Sequence, residues 1–358
     1  MLGRVLNHIE ALVGCDTQNP PRTIDAEHRV FSYCAEVLRG CGCRVEIDDL
    51  GDGCVNLLAT RGQTETVLNC HLDTVPTSES WTRDPFALDV ESGRAYGLGA
   101  CDIKGAAACM LIAAQESDGA MALLLTSDEE AGQSRCVRSF LEQNKEYSQA
   151  IVAEPTHGKA VLAHRGVATF EIEFMGKAGH SSLGNGQTSN ALHQASCWCA
   201  RAIEWAPDDL RFNIGVIQGG TKPNVSASSA RVVFGMRPQA GQCVDELVEA
   251  LRGLIEPACS YHWRDRFRAP ALAPGQASRA MVEAYGFDEG EPVDFWTEAA
   301  LFARAGLATL VLGPGDIKQA HSADEFVELD ELEPVCRVYQ RVFGDSLVGG
   351  HMNGVCKS

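Results

Sequence analysis

The pattern of apolar residues changes between about residues 166 and 266, and this change constrains the fold more than any single motif does. VATFEIEFMGKA alternates as a strand and SNALHQASCWCARAIEWA has helical spacing. RFNIGVIQGG and SARVVFGMRP alternate again, VDELVEALRGLI is helical, and CSYHWRDRF reads as a closing strand. A period of two lines one face of a strand with apolar groups, and a period of 3.6 does so for a helix. The resulting β-α-β-β-α-β order, over about 100 residues, predicts a ferredoxin-like α+β module.

The flanking stretches follow another rule. Up to about residue 160, short apolar runs (VNLLAT, TVLNC, MALLLTS, AIVAEP) alternate with helical segments (AEHRVFSYCAEVLRGCG, IKGAAACMLIAAQES, RCVRSFLEQN). After the link APALAPG that alternation returns, with helices near SRAMVEAYG, TEAALFARAG and LDELEPVCRVYQRVFG and a strand at ATLVLG. The economical expectation is one α/β domain, a sheet covered by helices at 1–165 and 267–345, interrupted by a module at 166–266 and followed by a loosely ordered tail at 346–358.

Composition narrows the partners. A formal charge of -18 and the lack of a Lys/Arg-rich run argue against nucleic acid and anionic membranes. MLGRVLNHIEALVGCDTQNPP reads as an amphipathic helix without the apolar block and cleavage site of a signal peptide, and no stretch approaches the ~18–20 apolar residues of a membrane span. The 15 cysteines lack paired metal-ligand spacings: Cys41/Cys43 and Cys197/Cys199 are isolated C-x-C pairs, and Cys109 lies in an apolar run. Free thiols in a reducing cytoplasm are expected.

Ligands of open α/β sheets collect beyond the carboxyl ends of the strands, and there the polar residues are of metal-ligand type. TVLNC runs into His71 and Asp73, and the YGLGA turn into Asp102. MALLLTS runs into Asp128, Glu129 and Glu130, AIVA into Glu154, and TLVLGPGDIKQA into His321. Singly, each carboxylate could be a helix cap or a turn residue. Converging jointly on one crevice, mixed imidazole and carboxylate groups suit a pair of zinc ions about 3.5–4 Å apart that share a carboxylate.

HLDTVP, GLGACDIKGAAA, SDEEAG, AEPT, GKAGHSS and AHSADEF, in that order, resemble the dinuclear zinc aminoacylase and acetylornithine deacetylase family over nearly the whole chain. The resemblance implies a zinc-hydrolase domain built on a helix-flanked mixed sheet, with the module as lid and homodimer interface. His71 and Glu154 would bind one zinc, Glu130 and His321 the other, and Asp102 would bridge them; cobalt could substitute. Glu129 would be the general base that relays a proton from the attacking water to the leaving amine. Asp73 would orient His71, and the Asp102–Ile103 peptide bond would be cis. His180 would donate to the oxyanion, often in the neighbouring subunit, although a loop histidine capping the next helix has the same sequence. Asn224 and Arg237 would contact the substrate and its carboxylate, although an arginine at a strand end is ordinarily solvated.

VDFWTEAALF and LVLGPGDIKQAHSADEF are similar to the acetylornithine and acetylcitrulline deacetylases of that family, which implies an N-acetyl amino acid substrate in arginine biosynthesis. Gly313 and Gly315 of the GPG turn offer backbone N–H groups to a carboxylate. Glu298 either faces the substrate side chain or forms a capping pair with Thr297. Other readings are succinyl-diaminopimelate, dipeptide or general N-acyl amino acid hydrolysis with the same metals, a non-catalytic dimeric binding protein, and a cysteine-zinc structural protein.

Overall fold

A computed structural model describes residues 1–183 and 190–344; the expected tail at 346–358 lies outside the described residues. Two compact units emerge, one of residues 1–162, 274–291 and 297 onward, the other of 163–273 and 292–296.

The first unit is built on a six-stranded sheet in the order Arg44–Gly51, Cys54–Arg61, Met121–Thr126, Thr66–His71, Gln149–Val152, Ala308–Val311. The last four run parallel to one another, while the first two pair antiparallel with their neighbours, which makes the sheet mixed. Every residue of Thr66–His71 and Met121–Thr126 is buried, as strands covered on both faces must be. The helix Gly105–Glu116 explains part of that cover: its run GAAACMLIAA is buried all round, because Leu2–Val13, Arg29–Gly40 and Leu329–Gly344 pack against it. The parallel order places His71, Thr126, Val152 and Val311 at one edge of the sheet, so the loops that follow share one crevice.

Two features of this unit escaped the apolar pattern. RVEIDDLG forms the edge strand Arg44–Gly51, half exposed and charged, and Asp89–Glu91, Arg94–Tyr96 and Phe326–Glu328 make a small separate sheet.

The second unit is a four-stranded antiparallel sheet, Arg211–Gly219, Ser229–Arg237, Val167–Met175, Ser260–Ala269 in spatial order. Numbered along the chain this is 2-3-1-4, the ferredoxin-like arrangement, with helices Ala191–Trp205 and Val244–Gly253. Phe170, Ile172, Phe174, Trp198, Val232 and Phe234 form a core of its own. The unit reaches beyond 166–266. The Val293 N–H donates to the Ala163 carbonyl at 3.1 Å, Trp296 Nε1 donates to the Pro270 carbonyl at 3.0 Å, and Arg165 pairs with Asp294. The segment 292–296 therefore belongs with this unit, a long-range pairing that no local pattern announces.

Candidate metal centre

His71 closes a buried strand, and its ring is 3 % exposed. Nδ1 lies 3.0 Å from the Asp73 carbonyl oxygen and 3.5 Å from Asp73 Oδ1, so Asp73 holds the ring chiefly through its backbone. Nε2 faces Asp102 Oδ1 at 3.2 Å and Glu154 Oε1 at 3.9 Å. From the other side, His321 Nε2 lies 2.8 Å from Glu130 Oε1 and 3.4 Å from Asp102 Oδ2. Two groups of possible ligands result, His71/Asp102/Glu154 and Asp102/Glu130/His321, with the candidate ligand atoms of each group within 4.8 Å of one another. Asp102 belongs to both, one oxygen toward each imidazole.

The donor set fits divalent cations. Ligand atoms about 2.0–2.2 Å from a tetrahedral ion are separated by roughly 3.3–3.6 Å, and the separations here scatter around that value. Asp102 Oδ1 is buried and lacks a hydrogen-bond partner despite its closeness to His71 Nε2, as expected for two atoms that point at a common ion.

The electrostatics agree. Burial, together with the charges of Glu154, Glu130 and Glu298, pushes the Glu129 carboxyl well above the usual range, against the pull of His71. Glu154 rises likewise, through burial and then the Asp102 charge. Burial also raises Glu130, with the His321 hydrogen bond opposing it. Burial would raise Asp102 as well, but the two imidazoles that flank it, His321 and His71, override it and leave this carboxyl low. Hydrogen bonds with Asp102 and Glu130 lift His321 to about 10. So many carboxylates with two imidazoles store negative charge that cations would relieve.

Local structure explains the placement. Asp128, the first acid after MALLLTS, is spent on structure: its carboxylate accepts the Arg135 and Cys136 N–H groups and caps the helix Arg135–Gln143. Glu129 and Glu130 follow on the turn between them. Asp73 Oδ2 accepts the Glu130 N–H at 3.0 Å, while the Glu129 carbonyl accepts the Gly132 N–H at 2.9 Å and its carboxyl makes no hydrogen bond among the described residues. The Asp102–Ile103 peptide bond is cis, as the resemblance implied.

Two expectations need correction. Gly313 donates its N–H to Thr156 Oγ1 at 3.1 Å and Gly315 donates to Glu331, so neither is left for a substrate carboxylate. Their glycines serve close approach instead: a Cβ on Gly313 would stand 2.6 Å from the Glu154 carbonyl oxygen, and one on Gly315 2.5 Å from Cys101 Sγ. The Glu298 side chain makes no capping hydrogen bond; Thr297 Oγ1 accepts the Ala299 N–H in its place. Glu298 is 1 % exposed, with Oε1 unpartnered, and burial followed by the Asp128 charge pushes it up to about 8.

In the second unit, His180 and Asn224 stand together on a two-stranded ribbon: His180 pairs with Val225, and the Ser181 N–H donates to the Asn224 carbonyl at 3.0 Å. His180 Nδ1 accepts the Ser182 N–H at 3.3 Å. Arg237 is at the other end of the Val167–Met175 ladder, which a strand rise of about 3.4 Å makes on the order of 25 Å away. Sequence reasoning gave no role to Glu325 or Lys104. The Lys104 ammonium is wholly buried and donates to the Cys15 carbonyl at 3.1 Å.

The description of peptidase family M20/M25/M40 matches residues 67–345, and the chain belongs to that family of hydrolases. It is 42 % identical to N-acetyl-L-citrulline deacetylase of Xanthomonas campestris pv. campestris over 97 % of this chain and 99 % of that one. It is 34 % identical to acetylornithine deacetylase of Myxococcus xanthus over 85 % and 88 %. Its fold is similar to that of aminopeptidase PepT from Bacillus cereus, with TM-score 0.77 and 19 % identity over 96 % and 98 % of the chains. It is also similar to a dinuclear metal binding peptidase of the M20 family from Bacillus subtilis, with TM-score 0.71 and 15 % identity over 95 % and 97 %.

Proposed function

We propose that this hydrolase removes the acetyl group from a small N-acetyl amino acid, N-acetyl-L-citrulline ahead of N-acetylornithine, with two zinc ions held by the groups that share Asp102. The observation that carries this reading is the division of the two Asp102 oxygens between His71 and His321. His71, Asp102 and Glu154 would hold one ion, and Asp102, Glu130 and His321 the other. Paired imidazole and carboxylate donors suit zinc, with cobalt as a substitute, better than the all-oxygen cations. Such a pair, when bound, supplies polarisation of the amide carbonyl and a nucleophilic oxygen from water at neutral pH.

Hydrolysis breaks the C–N bond, adds the oxygen of water to the acetyl carbon and delivers a proton to the leaving amine. Glu129 is the group proposed to carry that proton, since its carboxyl makes no hydrogen bond among the described residues and its surroundings strengthen its hold on a proton. His71 is kept in place by Asp73, and Glu130 by the same residue's carboxylate.

His180 would donate to the oxyanion, and Asn224 and Arg237 would contact substrate. One acetyl amino acid cannot span the ladder between them, which supports a homodimer in which the two ends of a module serve different sites. The edge strand Arg211–Gly219, with Val216 and Ile217 exposed at 40 % and 49 %, supports an interface there. Glu298 is proposed to face the substrate side chain through its unpartnered oxygen. Free thiols at all 14 described cysteines support the cytoplasm, and the two named deacetylase relatives support a place in arginine biosynthesis. No helix among the described residues is long and apolar enough to cross a membrane.

Kinetic constants for N-acetyl-L-citrulline and N-acetylornithine on zinc-loaded protein, beside N-succinyl-diaminopimelate and a dipeptide, test the proposal. Higher kcat/KM for the acetyl amino acids, citrulline first, is expected. Turnover of the dipeptide alone overturns it.

A further inference from the structure

From the hydrogen bonding of Glu325 we infer that this residue is a positioning residue for the metal pair, one that locks the loop carrying His321 onto the turn carrying Asp102; the inference rests on the two-ion reading proposed above. Glu325 is 2 % exposed and lies four residues beyond His321, just before the strand Phe326–Glu328. Its Oε2 accepts the Gly99 N–H at 2.9 Å, and its Oε1 accepts those of Cys101 at 2.9 Å and Asp102 at 2.8 Å. Its own carbonyl accepts the Gly97 N–H at 3.0 Å, and Phe326 continues the contact by pairing with Tyr96.

Three N–H groups of one turn thus converge on the two oxygens of a single buried carboxyl group, a three-point contact that fixes the turn more directionally than one hydrogen bond would. The turn can curl this tightly because Gly99 is left-handed, with φ 78°, and a Cβ there would stand 2.7 Å from Thr74 Cγ2. The consequence is asymmetric between the two groups of ligands. His71 and Glu154 are anchored by the central sheet and owe nothing to Glu325. Asp102 and His321 sit on the two segments that Glu325 ties together; Asp102 serves both groups but His321 only the one that includes Glu130, so that group has two of its ligands on the tied segments and the other has one. Loosening the tie should therefore disturb that second group first.

Glu325→Gln tests this, because its amide nitrogen would confront at least one backbone N–H where the carboxylate accepted it. Metal-stripped wild type and variant are titrated with Zn²⁺ against a chromophoric chelator, with cobalt absorption spectra and circular dichroism in parallel. Wild type is expected to take two ions. The variant should keep the first affinity within a few-fold, lose about 10- to 100-fold at the second, and change the spectrum of the second cobalt only. Two ions at wild-type affinities in the variant overturn the role of Glu325 and leave the two-ion reading standing. Fewer than two ions in wild type overturn that reading itself, and the inference with it. If Glu325→Gln does not fold, Glu325→Asp decides: it keeps the carboxyl group but falls a methylene short, so weakened second-ion binding is expected, and unchanged binding overturns the inference.

Discussion

Asp73 accepts the backbone N–H of Glu130 on its Oδ2 at 3.0 Å, while its own carbonyl faces His71 Nδ1. One buried residue thereby sets a member of each ligand group. Asp73→Ala leaves the Glu130 N–H without its acceptor, a loss of about 1–3 kcal/mol of stability. Metal affinity should fall about 10- to 100-fold. Urea unfolding of the stripped protein and zinc titration check the two effects; an unchanged affinity would detach the Asp73 carboxylate from the metal centre.

The Glu129 carboxyl stands beside Glu130, Glu154 and His71 with no hydrogen bond among the described residues, so its removal should cost chemistry and spare the ligands. Glu129→Gln is expected to lower kcat by about 10²- to 10⁴-fold with zinc content unchanged. Atomic absorption beside steady-state kinetics measures both, and near-normal turnover would remove the residue from the reaction.

Glu298 gives the metal-free protein a pH dependence of known sign. Its carboxyl titrates at about 8 when folded and near 4.5 when unfolded, so between those values the folded state binds more protons. Its contribution to stability is full below about 4.5 and is lost as pH rises toward 8. Glu298→Gln removes that loss, so its stability relative to wild type should improve as pH rises from 4.5 to 8, by on the order of a few kcal/mol. Chemical unfolding of stripped proteins at a series of pH values reads it; a pH-independent difference would contradict the assignment.

Gly313 packs directly against the Glu154 backbone. Gly313→Ala must push that segment away, with a loss of about 1–3 kcal/mol and weaker binding of the ion that Glu154 holds. Thermal unfolding and metal titration together test this, and a neutral substitution would show that the segment yields.

Much of the fold was legible because its signals are local. Buried parallel strands read as short apolar runs, the ferredoxin-like unit as alternation exchanged twice for helical spacing, and the acids and imidazoles as the residues next along the chain. What escaped is long-range or directional. RVEIDDLG carries too many charges to register as a strand, because at the sheet edge only part of it needs burial. The return of 292–296 to the second unit rests on backbone pairing and a tryptophan N–H. The N–H groups of the GPG turn were visible in sequence, but not that Thr156 and Glu331 use them. Glu325 stood inside the quoted motif AHSADEF, and only the folded backbone reveals three donors turned toward it.

The central claim concerns the space on either side of Asp102. Crystals of the zinc-loaded protein, measured at the zinc absorption edge, should give two anomalous peaks about 3.5–4 Å apart, one beside His71 and Glu154 and the other beside Glu130 and His321. A single peak remote from Asp102, or none in protein that turns over substrate, would contradict it.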